Sequence, residues 1–200
     1  MLTWLVPPAC VGCRRLLRDD AAKGMCSRCS AELVPSPASS VGVFSHEGPM
    51  RRALSALKYE RDLARAGPLG RVLGPHVGRA SFDLAIAVPL HRSRQRFRGF
   101  NQSELLLREA LREAGLPRPV SVLERSRDTA PQVGLPAPLR RQNVERAFTV
   151  RPQRKSELRG RRVLLFDDVV TTGATLQAAA QPLRDAGAEV SFLALLQAVA

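Results

Sequence analysis

Residues 163–175 read VLLFDDVVTTGAT: an apolar run, two adjacent carboxylates, then a hydroxyl-rich turn around one glycine. The run RRVLLF (161–166) is β-branched and apolar, which predicts a buried strand. The residues that follow, LQAAAQPLRDAG (176–187), are rich in Ala and Leu, carry Pro182 as an interior interruption and stop at Gly187. That pattern predicts a kinked helix with a glycine stop. The stretch is therefore a strand-to-loop-to-helix junction, and in an open parallel sheet such junctions lie where ligands bind, at the carboxyl ends of the strands. Thr171, Thr172, Gly173, Ala174 and Thr175 lead into the helix. Unpaired backbone N–H groups, hydroxyls and the positive end of the dipole make that turn a phosphate cradle. Gly173 lets the backbone approach a ligand with no Cβ in the way.

Asp167 and Asp168 sit too close to the cradle to hold phosphate themselves. They suit another part of the same molecule, either sugar hydroxyls or a divalent cation. A ligand with a phosphate, a diol and a metal-binding group answers all three requirements, and ribose 5-phosphate carrying a pyrophosphate (PRPP) is such a ligand.

Outward from this junction, strand and helix patterns alternate. VGVFS (41–45), FDLAIAVP (82–89), PVSVLE (119–124), RVLLF (162–166) and EVSFLALL (189–196) read as strands. PMRRALSALKYERDLARAG (49–67) reads as one or two amphipathic helical segments with apolar Leu54, Leu57 and Leu63. NQSELLLREALREAG (101–115) is the clearest helix, capped by Asn101 with Glu104 completing a capping box and Gly115 ending it. No internal repeat is present, so the body is predicted to be α/β with a mostly parallel sheet. The Pro/Ser stretch VPSPASS (34–40) is the best boundary, dividing residues 1–40 from a body of 41–200.

Two basic segments join the phosphate cradle. VPLHRSRQRFRGFNQSE (88–104) leaves a strand and enters a capped helix. An extended loop would place Arg92, Arg94, Arg96 and Arg98 on one side. With His91, Gly99, Asn101 and Gln102 they are candidate pyrophosphate ligands, since guanidinium forks and loop N–H groups suit that anion. RSRDTAPQVGLPAPLRRQNVERAF (125–148) is long, basic and proline-punctuated, and reads as a functional loop. Its Gln132, Arg140, Arg141 and Asn143 either close over a reacting centre or follow a nucleic-acid backbone. His46, His76 and His91 have no mutual motif spacing, and Lys58 and Tyr59 near a helix end read either as surface or boundary residues or as lining of the ligand pocket.

All four cysteines lie in residues 1–33, as Cys10-Val-Gly-Cys13 and Cys26-Ser-Arg-Cys29. Two C-x-x-C hairpins can present four thiolates to one tetrahedral zinc ion; a redox dithiol usually needs a single pair. Such a site has no open coordination position and is structural. The formal charge of +13 over 200 residues favours polyanionic partners, single-stranded DNA and phosphorylated metabolites among them. Aromatic residues make up only 4%, which argues against a stacking platform for bases. No stretch reaches the ~18 apolar residues of a membrane helix. The opening MLTWLVPPAC lacks a basic region before its short apolar run, so a cytoplasmic location with reduced thiols is expected.

With these segments in hand, the chain resembles the ComF family of competence-associated proteins. VLLFDDVVTTGAT looks like the PRPP motif of type I phosphoribosyltransferases. VPLHRSRQRFRGFNQSELL, PQVGL, RRQNVERAF, EGPMRRALSALKY and the cysteine pairs look like further ComF segments, so the likeness spans nearly the whole chain. It departs at Ala174, where many nucleobase-using relatives have glycine, and at Arg61, where the family more usually has glycine. The resemblance implies a type I phosphoribosyltransferase fold binding PRPP and Mg²⁺ at the strand ends. Asp167 and Asp168 would hold the ribose diol as the catalytic acids. Val169 to Thr175 would complete the PRPP motif, residues 171–175 on the 5-phosphate, and the arginine segment would meet the pyrophosphate. It also implies a part in natural transformation beside other competence proteins. Two functions share this ligand: phosphoribosyl transfer to a nitrogen acceptor, and PRPP binding without turnover in a module that handles incoming single-stranded DNA.

Overall fold

In the computed structural model of the chain, residues 9–17, 24–126 and 146–198 are described. Four parallel strands form the main sheet in the order β1-β6-β5-β2, with β1 Gly42–Ser45, β2 Leu84–Ala87, β5 Arg162–Val170 and β6 Glu189–Gln197. The expected α/β architecture is what forms. β5 is central because its apolar run is buried on both faces. Leu164 and Phe166 join one core, and Val163 and Leu165 join the other, as strand alternation requires.

The first face is covered by α2 (Gly48–Tyr59), α3 (Ala66–Gly78) and α5 (Gln102–Glu113). The second is covered by α6 (Ala174–Asp185), which runs on through Pro182 and ends before Gly187 at φ 90°. α5 begins with the Asn101 cap its sequence indicates: Asn101 Oδ1 accepts from Ser103 N at 3.1 Å. Its Nδ2 donates to Val88 O at 3.0 Å, which fastens the exit of β2 to the entry of α5.

α3 was not legible as a helix. Gly70 and Gly74 weaken its helical pattern, yet a Cβ at Gly70 would lie 2.4 Å from Glu109 Cβ of α5. The glycines exist so that two helices can approach closely. Leu63, counted on the apolar face, lies instead in a 3₁₀ turn (Leu63–Arg65) and is 53% exposed.

Three further expectations change. β5 extends through both acids to Val170, four residues beyond the predicted strand, because Asp167, Val169 and Val170 keep their register with β6. PVSVLE yields only a short β3 (Leu123–Arg125), which pairs antiparallel with β4 (Phe148–Val150) outside the main sheet. The arginine segment is not extended: residues Arg92–Arg98 form helix α4, so alternate arginines do not share a side. Helical spacing puts Arg92 with Arg96 and Arg94 with Arg98 on different faces. A short α1 (Ser27–Ala31) lies in the cysteine-bearing region.

Candidate active site at the strand ends

Every strand of the main sheet points its carboxyl end the same way, and the candidate residues collect there. Asp167 sits on β5 with its Oδ1 accepting from Ser103 Oγ of α5 at 2.9 Å and from Asp168 N at 2.9 Å. Burial, then the neighbouring Asp168 charge, push its carboxyl up to about 7. Asp168 is 5% exposed and pairs with the Lys58 ammonium near the end of α2. Burial works to raise this second carboxyl. The Lys58 charge, with hydrogen bonds from Lys58, Asp167 and Gln102, outweighs it and holds Asp168 below the usual carboxylate range. The two acids therefore differ in character: one is ionised beside an ammonium, and its neighbour readily keeps a proton.

Beyond them the chain leaves β5 and turns. Gly173 has φ 75°, and a Cβ there would meet nothing within 4 Å, so conformation and not space demands glycine. Thr172 Oγ1 accepts from Ala174 N at 3.4 Å, and Thr171 O accepts from Gln197 Nε2 at 3.4 Å. Val169 packs toward the α2 and α5 side and Val170 is buried on the α6 side, which anchors the turn. Thr175 stands in the first turn of α6. Thr171, Thr172 and Gly173 open on a cleft of about 530 Å³ whose far wall includes Ser39, Ser40 and Val41. The serines of the expected linker thus share a cleft with this turn.

On the other flank, His91 caps α4, its Nδ1 accepting from Ser93 N at 3.3 Å. Gly99, at φ 87°, ends that helix and turns the chain toward Asn101. Arg98 donates to Gln102 Oε1, and Gln102 is itself buried beside Asp168. His91, Arg92 and Asn101 line a second cleft of about 560 Å³ with Glu124, Arg125 and Arg151. Arg94 and Arg96 lie on α4 away from that lining. Gln132, Arg140, Arg141 and Asn143 lie outside the described residues. β3 and β4, which precede and follow them, pair through Arg125 and Phe148.

The cysteines converge. Sγ atoms of Cys10, Cys13, Cys26 and Cys29 all lie within 4.8 Å of one another. Cys13 and Cys26 are 3.8 Å apart, which is about the edge of a tetrahedron built from ~2.3 Å Zn–S bonds. Burial would raise the Cys10 thiol, but backbone N–H groups from Cys26, Cys13 and Gly12 bring it down to about 6. Burial first, then hydrogen bonds shared with the other three cysteines, push Cys29 up. The four are positioned to bind a metal ion. Cys10, Cys26 and Cys29 belong to the same apolar cluster as Met50 and Leu54 of α2, and Arg65 donates to Val11 O between them.

A family model for the phosphoribosyl transferase domain matches residues 101–198. The DNA utilization protein YhgH of Escherichia coli O157:H7 is 35% identical over 170 residues, covering 82% of this chain and 73% of the relative. Competence protein F of Haemophilus influenzae is 41% identical over 107 residues, covering 54% of this chain. The chain belongs to the ComF family. The match spans 46% of the length of the Haemophilus protein. An adenine phosphoribosyltransferase of Nocardia farcinica is 60% identical over a 40-residue stretch, 20% of this chain and 21% of that enzyme.

Within this ComF-family chain, sequence reasoning favoured a boundary role for Lys58 over the pocket position it takes beside Asp168. A signal was present: Met50, Leu54, Leu57 and Lys58 follow the i, i+4, i+7, i+8 spacing of one helical stripe, so a lysine stands where an apolar residue is due. His46 was also passed over. It follows β1, donates its backbone N–H to Gln197 O at 2.8 Å, and is near enough to feel Arg51, Lys58 and Asp168. Burial first, then those two cations, hold it below the usual imidazole range. Nothing in its sequence spacing marks it.

Proposed function

We propose that this ComF-family chain binds PRPP with Mg²⁺ at the strand ends and serves natural transformation, in the uptake or processing of incoming single-stranded DNA. The observation that carries the reading is the sequence of groups along one backbone: two carboxylates ending β5, then a turn with Gly173 at positive φ opening α6, inside a phosphoribosyl transferase domain. Asp167 and Asp168 accept from the ribose hydroxyls. The N–H groups and hydroxyls of residues 171–175 hold the 5-phosphate. Basic groups on and around α4, joined by Arg140, Arg141, Gln132 and Asn143, meet the pyrophosphate.

In the transfer reaction a nitrogen lone pair attacks the anomeric carbon, the bond to pyrophosphate breaks, and the sugar passes through an oxocarbenium-like state. Arginines of the α4 segment stabilise the departing charge. Mg²⁺ suits the hard oxygen donors gathered here and, when bound, neutralises the pyrophosphate. The four cysteines hold one structural zinc ion, an ion whose ligand set they match. Residues 1–40 are then a zinc-binding module with linker, and 41–200 the phosphoribosyltransferase-like domain. A cytoplasmic setting, where thiols stay reduced, suits four metal-binding cysteines with no disulfide among them.

Calorimetry with Mg²⁺ and PRPP tests the site. The Asp167→Asn/Asp168→Asn variant is expected to lose roughly 10²- to 10⁴-fold in affinity, since each charge-assisted hydrogen bond contributes ~1.5–3 kcal/mol. Equal affinity would refute it. A second reading, PRPP binding without turnover in a DNA-handling module, is favoured by the charge of +13 and by the names of the relatives. Pyrophosphate release from PRPP across a panel of nucleobases separates the two.

A further inference from the structure

Among the described residues the two most exposed large apolar side chains are both aromatic: Phe97 at 84% and Tyr59 at 71%. They come from different elements, α4 and the end of α2, which two arginine contacts bring together. Arg98, next to Phe97, places its guanidinium 5.8 Å from the centroid of the Tyr59 ring. Arg61, two residues after Tyr59, donates from Nη2 to Phe97 O at 2.5 Å. Arg61 takes φ 54°, a left-handed conformation uncommon for a side-chain-bearing residue. The arginine there ties the two elements together.

The charges around the rings are one-sided. Glu60 and Asp62, which flank Arg61, are drawn off the patch: Glu60 to Arg14 at 2.6 Å and Asp62 to Arg65 at 2.8 Å. Exposed Arg61 and Arg96 and half-exposed Arg98 are left around the aromatics. None of the residues of α4 is buried, so packing does not explain the apolar ring it holds out to solvent. A stable protein interface needs a broader apolar core than two rings provide. Flat rings among arginines suit a flexible polyanion with stackable bases.

We infer that Tyr59 and Phe97, framed by Arg61, Arg96 and Arg98, form a stacking platform for single-stranded nucleic acid. The inference deepens the DNA-handling part of the proposed function and does not depend on PRPP binding. The low aromatic content of the chain concealed it, because few rings suffice when they are exposed together. The platform adjoins the candidate active site: Tyr59 follows Lys58, the partner of Asp168, and Arg98 contacts Gln102.

The test is fluorescence anisotropy of a labelled thymidine oligonucleotide over a salt series, using the full chain. Tyr59→Ala/Phe97→Ala is expected to weaken binding about tenfold or more, because each base–aromatic stack is worth several-fold. Its log–log salt slope should stay that of the wild type. Arg61→Ala should instead flatten the slope by about 0.7, the share of one phosphate. Tyr59→Trp/Phe97→Trp should retain the affinity. Mg²⁺-PRPP calorimetry on the alanine variant should match the wild type, and Asp167→Asn/Asp168→Asn should keep its oligonucleotide binding, so failure of either idea is seen separately. Wild-type protein that does not bind the oligonucleotide, or an alanine variant that binds it as tightly as wild type, overturns the platform.

Discussion

Lys58 and Asp168 form an ion pair with side-chain exposures of 15% and 7%, joining the end of α2 to the end of the central strand. A pair this buried stabilises little relative to apolar residues, but removing one partner leaves a charge with nothing to balance it. Lys58→Met should therefore destabilise the chain by ~3–5 kcal/mol, measured by urea unfolding. Adding Asp168→Asn to Lys58→Met should recover part of the loss. A single variant as stable as wild type would mean that the pair is solvated.

Asp167 predicts a pH dependence with a definite direction. Its carboxyl is raised to about 7 in the fold, from the ordinary value of ~3.9 in an unfolded chain. The stability it contributes is complete below about pH 4 and is lost as pH rises through about 7. Asp167→Asn should flatten the stability profile across that window. Affinity for Mg²⁺-PRPP should run the other way, rising toward pH 8 as the carboxylate forms and can accept from a hydroxyl. Calorimetry in two buffers of different ionisation enthalpy should register the released proton.

The cysteine cluster predicts metal content. Purified protein should carry about one zinc ion per chain, and Cys10→Ser or Cys29→Ser should lose it. Structural zinc contributes on the order of 10 kcal/mol in isolated fingers, so both variants should expose their N-terminal region to protease. Metal analysis that finds no zinc, together with a redox-active disulfide, would refute this.

Gly173→Ala isolates backbone conformation from crowding. There is open space around the glycine, but its φ of 75° costs an L-residue about 1–2 kcal/mol. The variant should fold and bind PRPP several-fold more weakly, and Gly173→Asn should be milder because asparagine tolerates that conformation better. Equal binding by all three would place the 5-phosphate elsewhere.

These cases mark where sequence is informative. Residues 163–175 were readable because strand, acids, glycine and helix start are consecutive, so their chemistry is local. Asn101 was readable for the same reason, and its cap formed. Lys58 was harder: its partner comes from a strand far along the chain, and only a break in an apolar stripe betrays it. In α3 the reason for Gly70 lies on a different helix, at Glu109. Alternating arginines suggested an extended loop, but short-range spacing cannot distinguish that from the single helix that forms between a histidine cap and Gly99.

The cysteine region and α2 share one apolar cluster, and this bears on how the protein can be taken apart. A Cβ on Gly12 would come within 2.7 Å of Pro49 Cβ, so the two surfaces are already in contact. A fragment beginning at residue 41 would bare the side of α2 that Val11, Cys10 and Cys29 now cover, and strip Arg65 of the carbonyl it holds. That fragment should be sticky and prone to aggregate. Loss of a metal held by the four cysteines would then be felt at the far end of the same helix, where Lys58 pairs with Asp168.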